Sequence, residues 1–157
     1  MALEIPEARL IQGEAVVRDL QLSQSVKMTR KSLVRWIALA SGLISPNESR
    51  KTLIDLLEVL FKFQLEENKD PDIHGIMEEM KKLNEEHNEK AVRYHLFQLK
   101  KKGFLSRTKG KYSFAIAPYS EKGDVAASFE HAFRQKSDVA MAKLKEALGI
   151  LKKMHEG

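Results

Sequence analysis

The residue types that could do chemistry are concentrated between positions 88 and 111, where basic side chains predominate. The eight Lys and Arg residues of this stretch are Lys90, Arg93, Lys100, Lys101, Lys102, Arg107, Lys109 and Lys111. They stand against a single acid, Glu89, so the local charge is +7, more than the +5 of the whole chain. Because Lys and Arg neutralise phosphates, this density of positive charge is typical of a nucleic-acid-binding surface.

The remainder of the chain carries a different balance of charge. The preceding stretch, 66–86, holds eight Asp or Glu residues and three Lys, so acids and bases are separated along the sequence. Over all 157 residues, 27 Lys and Arg stand against 22 Asp and Glu, and the pI is about 9.3. Such a net charge spread evenly would describe ordinary solvated surface, so its placement is what favours a polyanionic partner.

Helical periodicity predicts which of these side chains reach a partner. Val92, Leu96 and Leu99 recur at i, i+4 and i+7, which predicts a helix over about 88–102 with this line buried. The opposite face would carry Lys90, Arg93, Tyr94, Phe97 and Lys101, with Glu89 and Gln98 at its margins. Arg and Gln pair with guanine and adenine edges, so we expect Arg93 and Gln98 to read bases and Tyr94 to donate to a phosphate.

Two further groups of basic residues flank this helix. Gly103 fits the left-handed position that ends a helix, and the β-type segments 104–108 and 111–116 around Lys109-Gly110 predict a hairpin. Lys109 and Lys111 at its tip suit phosphate or minor-groove contacts better than base reading, and Arg107 is a further expected DNA-binding residue. A second group could add a flanking backbone contact and consists of Lys27, Arg30, Lys31 and Arg35.

The elements that must position these side chains are mostly helices. Apolar spacing predicts helices from Thr29 to about Ile44, through 53–65 and over 73–83, with polar turns at 45–49 and 84–88. Thr29 or Ser32 could cap the first helix, and Asp70 could cap the third with Pro71 as its first residue.

The sequence pattern predicts one type of secondary structure at the C-terminal end of the chain but not at the N-terminal end. Residues 1–22 fit a helix or a strand, and we leave both open. Residues 125–154 predict a long helix whose apolar seam is Phe133, Ala140, Leu144, Ala147, Leu151 and Met154. This seam could pair with that of a second copy or cover the helices of its own subunit, and the first option predicts a homodimer.

Helix, helix, polar turn, helix, glycine and β-hairpin is the order of a winged helix-turn-helix domain. Val92-Arg-Tyr-His-Leu96, Leu99-Lys-Lys-Lys-Gly-Phe-Leu105 and residues 107–112 resemble the recognition-helix and wing signature of winged helix-turn-helix transcription regulators of the arsenical-repressor-like and related archaeal types. The resemblance covers about residues 48–116. It implies a DNA-binding transcription regulator whose helix 88–102 lies in the major groove and whose wing 104–116 touches the backbone.

These features together predict a mainly α (α+β) protein with a winged helix-turn-helix core between flanking N-terminal and long C-terminal helices. We expect an N-terminal arm and helix at 1–47, a DNA-binding domain at 48–117 and a dimerisation helix at 124–157. The expected function is sequence-specific binding of double-stranded DNA by a homodimer. The alternative is a winged-helix adaptor that joins a protein complex without reading bases, which an exposed Phe97 would favour.

Composition excludes several other classes of function. Without Cys there is no disulfide, thiolate nucleophile or Cys-based metal site, and the spacing of the five His residues fits no zinc motif. No phosphate-binding glycine loop or nucleophile elbow is present, so we expect neither an enzyme nor a cofactor, and His95 is interpreted as structural, hydrogen-bonded to the backbone. No signal peptide or membrane span is evident, which predicts a cytoplasmic protein. The homodimer could form through the C-terminal helix or through the N-terminal helices around Trp36, and both alternatives stay open.

Overall fold

A computed structural model describes residues 6–48 and 50–157, and it is mainly helical with one two-stranded antiparallel sheet. The α-helices are α1 (Gln24–Lys27), α2 (Arg30–Ala40), α3 (Lys51–Phe61), α4 (Ile73–Leu83), α5 (Glu89–Lys101) and α6 (Val125–Glu156). A 3-10 turn occupies Glu7–Leu10, and a π-helical turn, Lys62–Glu67, continues α3. The strands are β1 (Leu105–Thr108) and β2 (Lys111–Phe114). Part of the 45–49 turn, Ser49, lies outside the described residues.

Polar side chains cap the helices that surround the basic region. Thr29 accepts from the backbone N–H of Ser32 at 3.1 Å, which confirms one of the two predicted caps of α2. Asn88 does the same for α5, accepting from the N–H of Ala91 at 2.8 Å. These bonds satisfy donors that the first turn of a helix leaves unpaired, so both starts are fixed locally.

The helix α4 spans the residues that the apolar spacing predicts, but its predicted cap is wrong by two residues. The helix is capped by Asp72, whose Oδ1 accepts from the N–H of Gly75 at 2.8 Å, and Asp70 plays no part in the cap. The reason is a long-range contact, because the carbonyl of Pro71 accepts from the N–H of Tyr112 at 2.8 Å. Asp72 also forms a bridge with Lys111 of β2 and is extended, so the helix begins only at Ile73.

The chain reverses sharply after α5. Gly103 has φ of +90°, and the Phe104 N–H donates to the carbonyl of Leu99 at 3.0 Å, the bond pattern of a glycine-terminated helix. The hairpin turn Lys109-Gly110 has positive φ at both residues, +52° and +79°, which matches the twist of a two-residue β-hairpin. The predicted glycine stop and hairpin tip are confirmed.

One hydrophobic core unites the helices and the hairpin. Val92, Leu96 and Leu99 of α5 are almost fully buried, as predicted, against α3 and α4. The core extends beyond residues 48–117, because it includes Ala38 of α2 and Ala132 of α6. The division into three regions stays a prediction, but all three contribute side chains to this core.

Residues 1–5 of the N-terminal segment lie outside the described residues, and residues 6–22 form neither the helix nor the strand that the sequence left open, apart from a 3-10 turn. Arg18 instead ties it to the end of α2. Its Nη1 donates to the carbonyls of Leu39 at 2.7 Å and Ile44 at 2.9 Å, and its N–H donates to Ala40 at 2.8 Å. A cation on the terminal carbonyls complements the negative end of the helix dipole.

The first part of α6 packs on the core, and the rest extends away from it. Every residue from Ser137 to Gly157 is exposed, including Leu144, Leu148 and Leu151. The helix is 32 residues long, and at 1.5 Å per residue it spans about 48 Å. None of the helices in the described part of the chain is long and apolar enough to cross a membrane.

Candidate nucleic-acid interface

The exposed face of α5 carries the side chains that the sequence assigned to it. Lys90, Arg93, Tyr94 and Lys101 are exposed, and Gln98 at the margin is half-buried. Lys90 and Lys101 are eleven residues apart, so the charged strip between them is about 16 Å long. The buried line and the exposed basic strip thus share one helix.

Arg93 is held by a neighbour on its own helix. Its Nε donates to Oε2 of Glu89 at 3.0 Å, an i, i+4 pair on the exposed surface. Exposed pairs of this kind contribute only about 0.3–0.5 kcal/mol. Because the pair uses Nε, it does not occupy the two terminal nitrogens of the guanidinium, the groups that suit a guanine edge.

Two aromatic side chains interrupt the basic strip. Tyr94 is 57% exposed and meets the ring of His95 edge-on, with centroids 5.3 Å apart. Phe97 is 60% exposed, as the sequence predicted. The strip therefore combines positive charge with a phenol that can donate and a ring that cannot.

The hairpin presents its basic side chains outward. Lys109 lies at the tip, Lys111 is exposed, and the Arg107 guanidinium lies 5.5 Å from the centroid of the Tyr112 ring. Arg107 and Tyr112 are cross-strand partners in the β1–β2 register, and Tyr112 is buried. Stacking on a fixed ring restricts the guanidinium, so less freedom is lost when it binds an anion.

A basic cluster beside α5 escaped the sequence analysis. Arg50, His95 and Lys102 line a cavity of about 230 Å³ together with Tyr94 and Gln98. Arg50 precedes α3 and lies more than forty positions from His95, so no local pattern links them. We call these three basic residues, with Lys136 of α6, the Arg50–Lys102 cluster.

The electrostatics of the Arg50–Lys102 cluster show that its positive charges are crowded. Burial, followed by the charges of Arg50 and Lys102, lowers the pKa of His95 below its ordinary 6.5. Burial and then Lys102 lower the pKa of Lys136 as well. An anion bound among these groups would relieve the repulsion, so the cavity suits a phosphate.

One acid borders this cluster and is already engaged. Glu48 accepts from the Ser45 N–H at 2.6 Å and forms an ion pair with Arg50. The Ser45 hydrogen bond is the main reason that the pKa of Glu48 lies below its ordinary value, and Arg50 adds to the effect. Glu48 therefore stays ionised and orients Arg50 without filling the cavity.

Three residues of the second predicted basic group have different surroundings in the structure. Lys27 and Arg30 line an apolar cleft between α2 and α6, and Arg30 pairs with Glu66 at 3.5 Å. Arg35 instead donates to the carbonyl of Glu48 at 3.1 Å. Lys27 ends α1, whereas Arg30 and Arg35 lie on α2 with different partners, and a flanking backbone contact by this group stays a prediction.

The structural histidine is His87, not His95. Nε2 of His87 lies 2.7 Å from Oδ2 of Asp55, and the His87 side chain is only 5% exposed. This contact ties the turn before α5 to α3. His95 is half-buried, and within the described residues the structure records no hydrogen bond from it to the backbone, so that detail of the interpretation is wrong.

The described residues hold no group of three or more His, Asp or Glu side chains arranged to bind a metal ion. The polar side chains of the candidate interface on α5 and the hairpin are cations, one amide and one phenol. Comparisons of the chain with models of protein families, with curated proteins and with solved structures found no match.

Proposed function

We propose that the protein is a winged helix-turn-helix regulator that binds double-stranded DNA in a sequence-specific way. The observation that carries the proposal is the two-sided character of α5. One side of it is a fully buried line, and the other is a basic strip that ends next to a hairpin with Lys at and beside its tip. An α-helix of this kind fits the major groove, and a basic hairpin beside it fits the backbone.

The individual side chains would then have distinct roles. Arg93 would pair with a guanine through its terminal nitrogens, and Gln98 would pair with an adenine. Tyr94, Lys90 and Lys101 would bind phosphates and fix the register of the helix.

Phosphate contacts would extend beyond the exposed strip of α5. The hairpin offers Lys109, Lys111 and the stacked Arg107. The Arg50–Lys102 cluster offers a cavity whose crowded positive charges an anionic phosphate would relieve. Each phosphate neutralised releases counterions, so binding should weaken steeply as the salt concentration rises.

The distal part of α6 supports a homodimer as the binding unit. Its seam residues recur with heptad-like 4-3-4-3 spacing and are exposed, and they are Ala140, Leu144, Ala147, Leu151 and Met154. Pairing of two such seams would bury apolar surface that is otherwise in water. A two-fold dimer would hold two α5 helices for two half-sites.

A protein–protein adaptor is the second candidate, and Phe97 favours it. A large apolar side chain 60% exposed in the middle of the α5 strip contributes nothing to phosphate binding. On an adaptor it would anchor a partner protein. The two functions differ in their dependence on salt and on DNA sequence.

Selection of duplexes from a random library, followed by affinity measurements at several salt concentrations, tests the proposal. We expect Arg93→Ala to lose about 1–3 kcal/mol on the selected site and much less on random duplex. Arg134→Ala is the matched control, because Arg134 also donates through Nε to a Glu four residues earlier, at 2.8 Å, but on α6. Failure to enrich any sequence, with no salt dependence of binding, would favour the adaptor.

A further inference from the structure

A large apolar cleft lies apart from the basic strip of α5. Its volume is about 990 Å³, within the range of small-molecule sites in proteins, and it lies between α2, the π-helical turn and the start of α6. Its walls are mainly aliphatic and aromatic, and they include Leu33, Ile37, Phe129 and Phe133. The cleft is therefore large enough for a drug-sized or lipid-like molecule.

Apolar side chains stand open to solvent where the cleft begins. Met28 is 80% exposed and Leu65 is 59% exposed, and both line the cleft. Single exposed apolar residues are common, but two at the mouth of one apolar cleft extend its surface outward. Their burial would be a driving force for a ligand with a long apolar part.

The backbone of the wall is irregular at the same place. Lys62–Glu67 is π-helical and ends at Asn68 with φ of +52°, and its residues Lys62, Leu65 and Glu66 line the cleft. A π-helical turn is rare and is found frequently at functional sites. In this protein the π-helical turn places Lys62, Leu65 and Glu66 on the lining of the cleft.

The charged residues around the cleft are predominantly basic. Four cations line it against one acid, and they are Arg18, Lys27, Arg30 and Lys62 against Glu66. Glu66 pairs with Arg30 at 3.5 Å, and Lys62 pairs with Glu79 at 3.1 Å, whereas Lys27 takes part in neither pair. The excess positive charge complements a ligand whose polar end is an anion.

We propose that this cleft is a binding site for an amphipathic anion of the long-chain carboxylate class. The acyl chain lies among the side chains of α2 and α6, and the carboxylate faces Lys27 at the mouth. The tail helix of a second copy is the competing occupant, but residues 137–157 carry four Lys against three acids. A net positive segment is a poorer match to a positive rim than a carboxylate is.

The cleft is connected to the hairpin by direct contacts. Phe61 of the cleft wall stacks on Phe114 of β2, with centroids 5.1 Å apart, and Phe129 lies 4.8 Å from Phe104, between α5 and β1. Gln64 of the π-helical turn accepts from the Phe114 N–H at 3.0 Å. A ligand among these residues changes the support of the hairpin, so it acts as an effector; this regulatory part rests on the proposed DNA binding.

Titration of the full-length protein with dodecanoate tests the site, because Trp36, the single tryptophan, lines the cleft and reports binding by its fluorescence. We expect a saturable change, with affinity rising up to about fourfold per methylene from octanoate to dodecanoate. Leu65→Gln should weaken dodecanoate binding about tenfold. Lys27→Gln should weaken it about threefold to fivefold without affecting dodecanol.

Matched controls use residues away from the cleft. Lys69→Gln and Leu83→Gln change an exposed cation and an exposed leucine outside the cleft lining, and they should leave dodecanoate affinity unchanged. The proposal is overturned by the absence of a saturable Trp36 response, or by equal effects of the cleft and control variants. It is also overturned if Leu65→Gln dissociates a dimer in sedimentation, because a second copy then occupies the cleft.

A separate arm tests the regulatory part. Dodecanoate affinity is measured with and without a selected duplex, and each ligand must change the affinity of the other by the same factor. Dodecanoate binding without any duplex binding supports the cleft and contradicts the proposed DNA function. Both ligands binding with no mutual effect overturns the effector role.

Discussion

The two parts of α6 belong to one unbroken helix but have opposite surroundings. In the first, Ser128 and Ala132 are buried, and Phe129 and Phe133 pack in a cluster with Phe61, Phe104 and Phe114. From Ser137 onward every side chain is exposed, although apolar residues recur with the same spacing. Periodicity therefore identifies the apolar face of a helix without revealing what covers it.

Replacing one apolar residue in each part of α6 should give the largest difference in the free energy of unfolding. Phe129→Ala removes a ring from contact with three others, so the free energy of unfolding should fall by about 3 kcal/mol. Leu148→Ala lies in the exposed part and should change it by less than about 0.5 kcal/mol in the monomer. Urea unfolding at low protein concentration measures both, and equal losses would show that the distal part is also packed within one chain.

Truncation tests what the exposed part is for. A chain that ends at Lys136 keeps Phe129, Ala132 and Phe133, so it should stay folded. Its far-ultraviolet circular dichroism should differ from that of the full-length protein only by the contribution of the deleted helical residues. If the distal seam forms the dimer, this chain should sediment as a monomer where the full-length protein is a dimer. A truncated dimer would move the interface to the N-terminal helices around Trp36, and a full-length monomer would remove the half-site argument.

A smaller effect is the dependence of the free energy of unfolding on pH, which we expect from His95 of α5 and not from the distal part of α6. Because burial, Arg50 and Lys102 lower the pKa of His95 below 6.5, the folded protein binds a proton there less readily than the unfolded chain. The free energy of unfolding should therefore be unaffected above about pH 6.5 and should decrease as the pH falls from there toward the lower folded-state pKa. His95→Gln should flatten this decrease.

The control for the pH effect is the truncated chain. It retains Lys136 and the rest of the Arg50–Lys102 cluster, so its decrease in stability should match that of the full-length protein. Unfolding midpoints at about pH 7.5 and about pH 5.5 measure the difference. A decrease that persists in His95→Gln would assign it to another histidine, and one lost on truncation would assign it to the distal part of α6.

Local signals in the sequence were sufficient for much of the fold. The burial of Val92, Leu96 and Leu99, the glycine at 103 and the two-residue hairpin at 109–110 all follow from the spacing and conformational preferences of neighbouring residues. The exposure of Lys90, Arg93, Tyr94 and Lys101 follows from the same periodicity. Their role in DNA binding stays a prediction.

Features that depend on distant contacts were not predictable in this way. The cap of α4 is Asp72 and not Asp70 because Pro71 pairs with Tyr112, 41 residues later in the chain. Arg50 meets His95 and Lys102 only because α3 packs beside α5. Both features depend on how distant helices and strands pack against each other, and local sequence patterns do not predict that packing.

Because α6 is continuous, the number of residues between its packed part and its distal seam determines the direction and the position of the seam. Each residue of an α-helix turns its successor by about 100° and advances it by about 1.5 Å. One residue inserted near Ser137 would swing the distal seam by that angle around the axis while leaving the core untouched. Seven inserted residues would nearly restore the direction and displace the seam by about 10 Å. If two copies join through this seam, the number of residues in α6 between the core and the seam determines the angle and the separation of their α5 helices.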